Sequence, residues 1–468
     1  MIFHPQNIIK TNGSFTFWGD INAIAHPCLN KNIIKEFWHN FTFQGSTLKI
    51  CEGNEFVFSI GNAKPLSLDG YDYTLRVTPE GFCVCGKGED DLRLGFMVLL
   101  DRIAMTDTDR GTALQLDCCE IRGRADAEKR MVHYCVFPET ELWELQRFIR
   151  FCGALQFTHV VLEFWGMLRL DAMSELAWPF AFTKEQIRPI MDEAHDLGLE
   201  IVPMFNHWGH ATAGRVIHGK HVVLDQNPAL QSYFSEDGWC WDIKKPKVKA
   251  LLREIRNELI ALCGAGDYFH IGCDEAYNFS FSEADMGMIC DFINEIDGEL
   301  REMNRRAIIW GDMILFRHPD YNPENVYTCN APTAEAETYF LSHIDKHVVI
   351  ADWQYHAKST PVETPTVFKN AGFDCLLCPW NEGFAQFSAT MNSVSVQGLA
   401  GYIHTTWHTL STGMPYVLLA GVKGLERGCT LKLKSARTYT AALMRKVMPV
   451  CGDYQKAGWS KLQVGFKW

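Results

Sequence analysis

The sequence predicts an α/β protein whose main body is a (β/α)8 TIM barrel, preceded by a small α+β domain. Three observations predict it. After Arg124 the chain changes from short alternating runs to a strand, helix, strand, helix rhythm. Eight strand candidates follow over roughly 300 residues, as such a barrel requires. No Gly-rich phosphate loop follows the first of them, as a doubly wound nucleotide-binding sheet would need.

Residues 1–125 carry the runs FTFQGSTLKI, EFVFSIG, YDYTLRVTP and FCVCGKG, separated by turn residues such as Pro79-Glu80-Gly81. This is strand-and-hairpin sequence. A helical pattern runs from Asp91 to Ile103, with Leu92, Phe96, Leu99 and Leu100 on one side. Residues 126–435 are assigned to the barrel. Its strand candidates are Met131–Phe137, His159–Phe164, Glu200–Phe205, Tyr268–Ile271, Ala307–Trp310, Val348–Ala351, Cys375–Cys378 and Gly401–Thr405. Helical patterns lie between them at Glu139–Phe151, Lys184–Leu197, Lys247–Leu262 and Glu283–Met303, and Gly198 stops one of these as a left-handed cap would. The connection His207–Asp242 is long and glycine-bearing, as lids and binding loops are. Residues 436–468 are expected to form a helix and tail packed on the barrel.

The totals narrow the function classes. A chain of 468 residues implies two or three domains. Hydrophobic content of 47% with 21% charged residues is that of a folded protein. A net charge of −12 argues against nucleic acid or an anionic membrane as partner. The N-terminus shows no basic region followed by an apolar run, and no apolar stretch approaches the ~18 residues that span a bilayer. With 17 cysteines, an odd number, complete pairing within one chain is impossible. A reduced, cytoplasmic protein is therefore expected. The Cys-x-x-Cys of Cys375 and Cys378 reads as buried thiols in a strand rather than a metal clamp.

Catalytic groups of such barrels collect where strands end. In DYFHIGCDEAYN, residues 267–278, a short strand meets Gly272 and presents Asp274 and Glu275 side by side. Two acids in one pocket split their pKa values, so that one stays charged and the other donates a proton. Other strand ends offer Glu163, Phe164 and Trp165; His207 and His210; Trp310 and Asp312; Asp352, Trp353, Tyr355 and His356; Trp380, Asn381 and Glu382; and Trp407 and His408. Tryptophans recurring at one rim suggest walls around a ring, and no Lys/Arg cluster waits there for phosphate.

The segment HIGCDEAY resembles the active-site strand of glycoside hydrolase family 20, the exo-β-N-acetylhexosaminidases, and with Cys273 and Tyr277 it is most similar to the intracellular hexosaminidase D branch. WGH at 208–210, IIWGDM at 308–313 and the run 69–95 are similar to further parts of that family. The resemblance implies release of terminal β-linked GlcNAc or GalNAc with retention. The sugar's own acetamido oxygen would attack and form an oxazolinium intermediate. It implies Glu275 as general acid and base, Asp274 as the partner of the acetamido N–H, and His210 beside Glu275. Trp310, Trp353, Trp380 and Trp407 would wall the sugar, and Arg130 would bind its outer hydroxyls. Two departures stand out. Cys135 occupies the place of an Asp that usually partners the histidine, a role Glu163 could assume. Pro379-Trp380-Asn381 lacks the usual Tyr, so Asn381 or Tyr355 would hold the acetamido carbonyl. No metal or other cofactor is implied, the partner is a carbohydrate with a terminal β-N-acetylhexosamine, and a homodimer is compatible with the family. Two readings compete: a metal-dependent hydrolase using His207, His210, His270, Asp274 and His356, and a sugar-binding protein without catalysis.

Overall fold

The computed structural model describes residues 2–43, 45–211, 224, 227–426 and 428–448. Its first part is one mixed sheet. The strands are β1 (Asn7–Phe17), β2 (Gly19–Ala25), β3 (Ser46–Glu52), β4 (Val57–Gly61), β5 (Tyr73–Thr78), β6 (Gly81–Gly86), β7 (Ala104–Thr108) and β8 (Gly111–Gly123). They run in the order β1-β8-β5-β6-β4-β2-β3, with β7 on β8. Only β2 and β3 pair in parallel, and the helix Lys31–Phe41 makes the crossover between them. Part of one expected strand is thus helical: Phe41 of the run FTFQGSTLKI ends this helix, and β3 begins at Ser46. The helix Glu89–Leu100 is buried from Leu94 to Leu100, more fully than a one-sided pattern suggests. This layer is tied to the barrel helices by Arg150–Glu36 at 2.7 Å and by Asn30 donating to Asp196 at 2.9 Å.

The second part is the barrel. Its strands are β9 (Lys129–Cys135), β10 (His159–Glu163), β11 (Glu200–Met204), β12 (Tyr268–Gly272), β13 (Arg306–Trp310), β14 (Val349–Trp353), β15 (Cys375–Cys378) and β16 (Gly401–His404). Each pairs in parallel with the next, and β16 closes onto β9. The period of two divides every strand between two cores. Met131, Val161, Val202, Ile308, Trp310, Leu376 and Ile403 fill the inside. Val132, Val160, Ile201, Phe269, Ile309, Leu377 and Tyr402 pack outward against the helices. The same alternation separates Cys375, on the outer face, from Cys378, on the inner one. Burial raises both thiols well above the usual range, so this Cys-x-x-Cys is no clamp.

The helices arise from ordinary signals. Thr183 caps Lys184–Asp196 with a reciprocal capping box to Gln186, and Gly198 follows with φ +79°. Of the long connection after His207, residues 212–223 and 225–226 lie outside the described residues; the described remainder holds the turn Pro228–Tyr233 and the bridge Phe234–Trp241. The last described helix is Leu433–Lys446, and the expected tail lies outside the described residues. No helix among the described residues is long and apolar enough to cross a membrane.

Candidate active site

The site grows from the end of β12. Between His270 and Gly272 the pairing with β13 slips by one residue, a bulge of the kind that re-aims side chains. The chain then takes left-handed backbone at Gly272 (φ +69°), Cys273 (φ +75°) and Glu275 (φ +48°). A non-glycine residue held there costs about 1–3 kcal/mol, a strain that clusters at functional sites. Gly272 is required by contact as well, since a Cβ there would collide with Asn206. Gly209 is required by the same kind of contact: a Cβ would meet the Asp274 carbonyl oxygen. These two glycines let the loops after β11 and β12 close on each other.

The result is a compact acid pair with one histidine. His210 Nε2 lies 2.9 Å from Glu275 Oε2 and 3.3 Å from Asp274 Oδ2. Asp274 is 4% exposed, and Asn206 Nδ2 donates to its Oδ1 at 3.3 Å. Below them, Asp312 accepts from the Glu275 backbone N–H at 3.0 Å, from Asn330 Nδ2 at 2.8 Å and from Trp353 Nε1 at 3.1 Å. Burial, and then the nearby Asp274 charge, push the Asp312 carboxyl up to about 7 against the pull of these donors. Asp312 therefore ties the main chain of one acid to an aromatic wall.

Asp274, Glu275 and His210 open onto a pocket of about 250 Å³, lined also by Trp165, Trp353, Tyr355, Trp380, Trp407 and His408. The walls are held by their own polar tips. Trp407 Nε1 donates to Tyr355 Oη at 2.9 Å, and Trp380 Nε1 donates to Thr409 Oγ1 at 3.1 Å. The Tyr355 ring sits 5.1 Å from both Trp353 and Trp380. Burial raises its phenol well above the usual range, so it remains an O–H donor. An apolar cage with a few convergent polar groups suits a small ring-shaped ligand.

Seven of the expected site residues thus meet around one pocket: Asp274, Glu275, His210, Trp353, Tyr355, Trp380 and Trp407. Four expected site residues stand outside the pocket lining. Arg130 stands at the start of β9, the amino end of the barrel, where its guanidinium donates to Gln156 O at 2.9 Å and Ala127 O at 2.7 Å. A residue two positions into a strand lies a whole barrel height from the carboxyl rim. Trp310 is 1% exposed and does not line the pocket; its ring is tilted against those of His270 and Trp407, with centroids 4.3 Å and 5.7 Å away. Asn381 is held by Thr409 at 2.8 Å and Thr412 at 3.4 Å, beside the pocket rather than in it. Glu163 is buried against His133 at 3.3 Å and Cys135 at 3.7 Å and does not line the pocket.

Asp312, Trp165 and His408 were visible as strand-end residues without a role. Asn206 and Trp239 were not singled out. Asn206 immediately precedes the His207 pair, whereas Trp239 sits in a connection without periodicity.

The metal reading does not fit this geometry. His207 points outward, with Nδ1 2.6 Å from Phe205 O and Nε2 3.1 Å from Arg256 Nη1. His270 Nδ1 accepts from Gly272 N–H at 3.1 Å, and His356 is exposed. Among the described residues, the one group with ligand atoms all within 4.8 Å is His133, Cys135 and Glu163, which includes none of that set.

A closed parallel barrel with paired acids at its carboxyl rim defines a barrel hydrolase in class. Residues 159–379 match the sequence profile of glycosyl hydrolase family 20, catalytic domain. The matched segment spans six of the eight barrel strands, β10 to β15, and the protein is a glycoside hydrolase. No curated protein sequence matches the chain. Solved structures do. The Vibrio harveyi family 20 exo β-N-acetylglucosaminidase in complex with N-acetylglucosamine matches at a TM-score of 0.66 and 15% identity, covering 99% of this chain and 77% of that one. The Streptomyces coelicolor A3(2) β-N-acetylhexosaminidase matches at 0.66 and 14%, covering 95% of both chains. The Bacteroides fragilis β-N-acetylhexosaminidase matches at 0.63 and 16%, covering 98% and 95%. At such identities the likeness shows the fold.

Proposed function

We propose that the protein is an exo-acting, retaining β-N-acetylhexosaminidase that removes a terminal GlcNAc or GalNAc by substrate-assisted catalysis. One observation carries the reading: two adjacent carboxylates share one histidine at the edge of a tryptophan-walled pocket. The matched structures include enzymes described as acting on N-acetylglucosaminides, one of them with N-acetylglucosamine bound.

Glu275 is the general acid. Its side chain is 25% exposed against 6% for Asp274, so it faces the side where a leaving group departs. It protonates the glycosidic oxygen while the acetamido oxygen attacks C1 and the C1–O bond breaks. Glu275, now a carboxylate, next takes a proton from water as that water opens the oxazolinium at C1. Two displacements at one carbon give net retention. Asp274 accepts the acetamido N–H and stabilises the positive ring, held in place by Asn206 and His210. Tyr355 is better placed than Asn381 to donate to the acetamido oxygen, because Tyr355 lines the pocket while the Asn381 amide is engaged by Thr409 and Thr412 outside the lining. Trp353, Trp380 and Trp407 enclose the acetamido methyl and the sugar face. The described cysteines are all free thiols, which supports a reducing, cytoplasmic setting.

The test is release of nitrophenol from the aryl β-N-acetylglucosaminide and galactosaminide between about pH 4 and about pH 8. Turnover, with inhibition by an acetamido-thiazoline analogue, is expected. A folded protein that binds the thiazoline but turns over neither glycoside would instead be a sugar-binding protein.

A further inference from the structure

Beside the acid, and outside the pocket, lies an aromatic pair with no role in the steps above. Tyr277 follows Glu275 by two residues and is 61% exposed, although its ring is large and apolar. It is stacked on Trp239, with centroids 5.7 Å apart and planes 27° from parallel. Trp239 is fixed to the catalytic loop: its Nε1 donates to Glu275 O at 2.6 Å, and its ring lies 4.5 Å from that of His210. Asp237 strengthens the link, accepting the Trp239 backbone N–H at 3.0 Å and bonding Asn278 of the next loop. The Tyr277 backbone N–H also donates to Glu275 O at 2.8 Å. The platform is thus registered on the proton donor itself.

We propose that Tyr277 and Trp239 form a leaving-group subsite, which takes the flat C–H face of a sugar ring attached to the terminal N-acetylhexosamine. The proposal rests on the function argued above. The proton must pass between Glu275 and the glycosidic oxygen over a hydrogen-bond distance. The terminal sugar fills the pocket on one side of that oxygen, so the leaving group continues past Glu275 into the open. Tyr277 lies there and Trp239 stiffens it. An exposed, pre-stacked aromatic face binds a ring at little cost in ordering. Glycans with a sugar next to the terminal residue are then preferred over simple glycosides.

The experiment compares kcat/KM for N,N′-diacetylchitobiose with that for methyl β-N-acetylglucosaminide. Both leaving groups are alkoxides, so the ratio isolates the subsite from the chemistry. Tyr277→Ala should lower the ratio by about three- to tenfold, the scale of one aromatic contact. Tyr277→Phe should keep the ratio, because the ring remains. An unchanged ratio in Tyr277→Ala, or wild-type enzyme that cleaves the methyl glycoside but not the disaccharide, overturns the subsite alone. Wild-type enzyme that cleaves neither glycoside overturns the proposed function along with it.

Discussion

The two ends of the barrel use the same residue types to opposite effect. At the amino end Arg130 donates to Gln156 O and Ala127 O, Arg305 donates to Tyr268 O at 2.8 Å, and His159 lies 3.2 Å from Glu200. Those polar tips are spent on backbone and on each other. At the carboxyl end Asp274, Glu275 and His210 are braced from behind by Asn206, Asp312 and Trp239, and all three line a cavity. Bracing alone does not make a site; bracing that leaves one side open does. In barrels this asymmetry separates groups that hold the fold from groups that do chemistry.

The comparison can be broken by substitution. Glu275→Gln should have the largest effect, a fall in kcat of about 10²–10⁴-fold on a sugar leaving group, since general acid and base help are both lost. Asp274→Asn should lower kcat by about 10²–10³-fold and change KM less, because in the proposed mechanism its charge counts most when the oxazolinium forms. Tyr355→Phe should cost about tenfold in kcat/KM, as one hydrogen bond to a developing charge, while Asn381→Ala should stay within about twofold. The reverse order would put Asn381 in the acetamido role.

Asp312 sharpens the contrast through pH. Its carboxyl is raised to about 7 in the folded protein, above the ordinary value near 3.9 of an unfolded chain. Between these values the folded state holds more protons, so its contribution to stability falls as pH rises from about 4 to about 7. Glu426, at the amino end, is raised to about 7 by burial and acts in the same direction. Thermal midpoints across this range should therefore slope less in both Asp312→Asn and Glu426→Gln. Activity should drop only in Asp312→Asn, because an amide cannot accept from Glu275 N–H, Asn330 and Trp353 together. The smallest kinetic effect belongs to Arg130→Lys, which should leave KM unchanged. It should lose about 1–3 kcal/mol in denaturant unfolding as buried carbonyls lose their donors.

The eight barrel strands were legible because each is a short apolar run buried on both faces, and Cys375–Cys378 was located to the residue. The first sheet was harder to read. β1 is mostly exposed, so NIIKTNGSFTF carries little periodicity, and the helix Lys31–Phe41 lies against a run that also suits a strand. Within the site, adjacency in sequence located Asp274 and Glu275, and strand ends located Trp353, Tyr355, Trp380 and Trp407. Three of the four residues found off the lining share one cause. Trp310, Glu163 and Arg130 were read as strand residues without their height in the barrel, and height decides whether an inward side chain meets a ligand or a neighbour.

The amino-acid sequence by itself determined the alternation of strands and helices, the glycines that permit close loops, and the acid pair that follows β12. These are local properties, written in period, composition and adjacency. Only the tertiary structure decided that His210 joins both acids, that Asp312 braces Glu275 and Trp353, and that Arg130 serves the opposite end. Those facts depend on strand register and on which loops meet across the barrel mouth, distances that no single stretch of chain encodes.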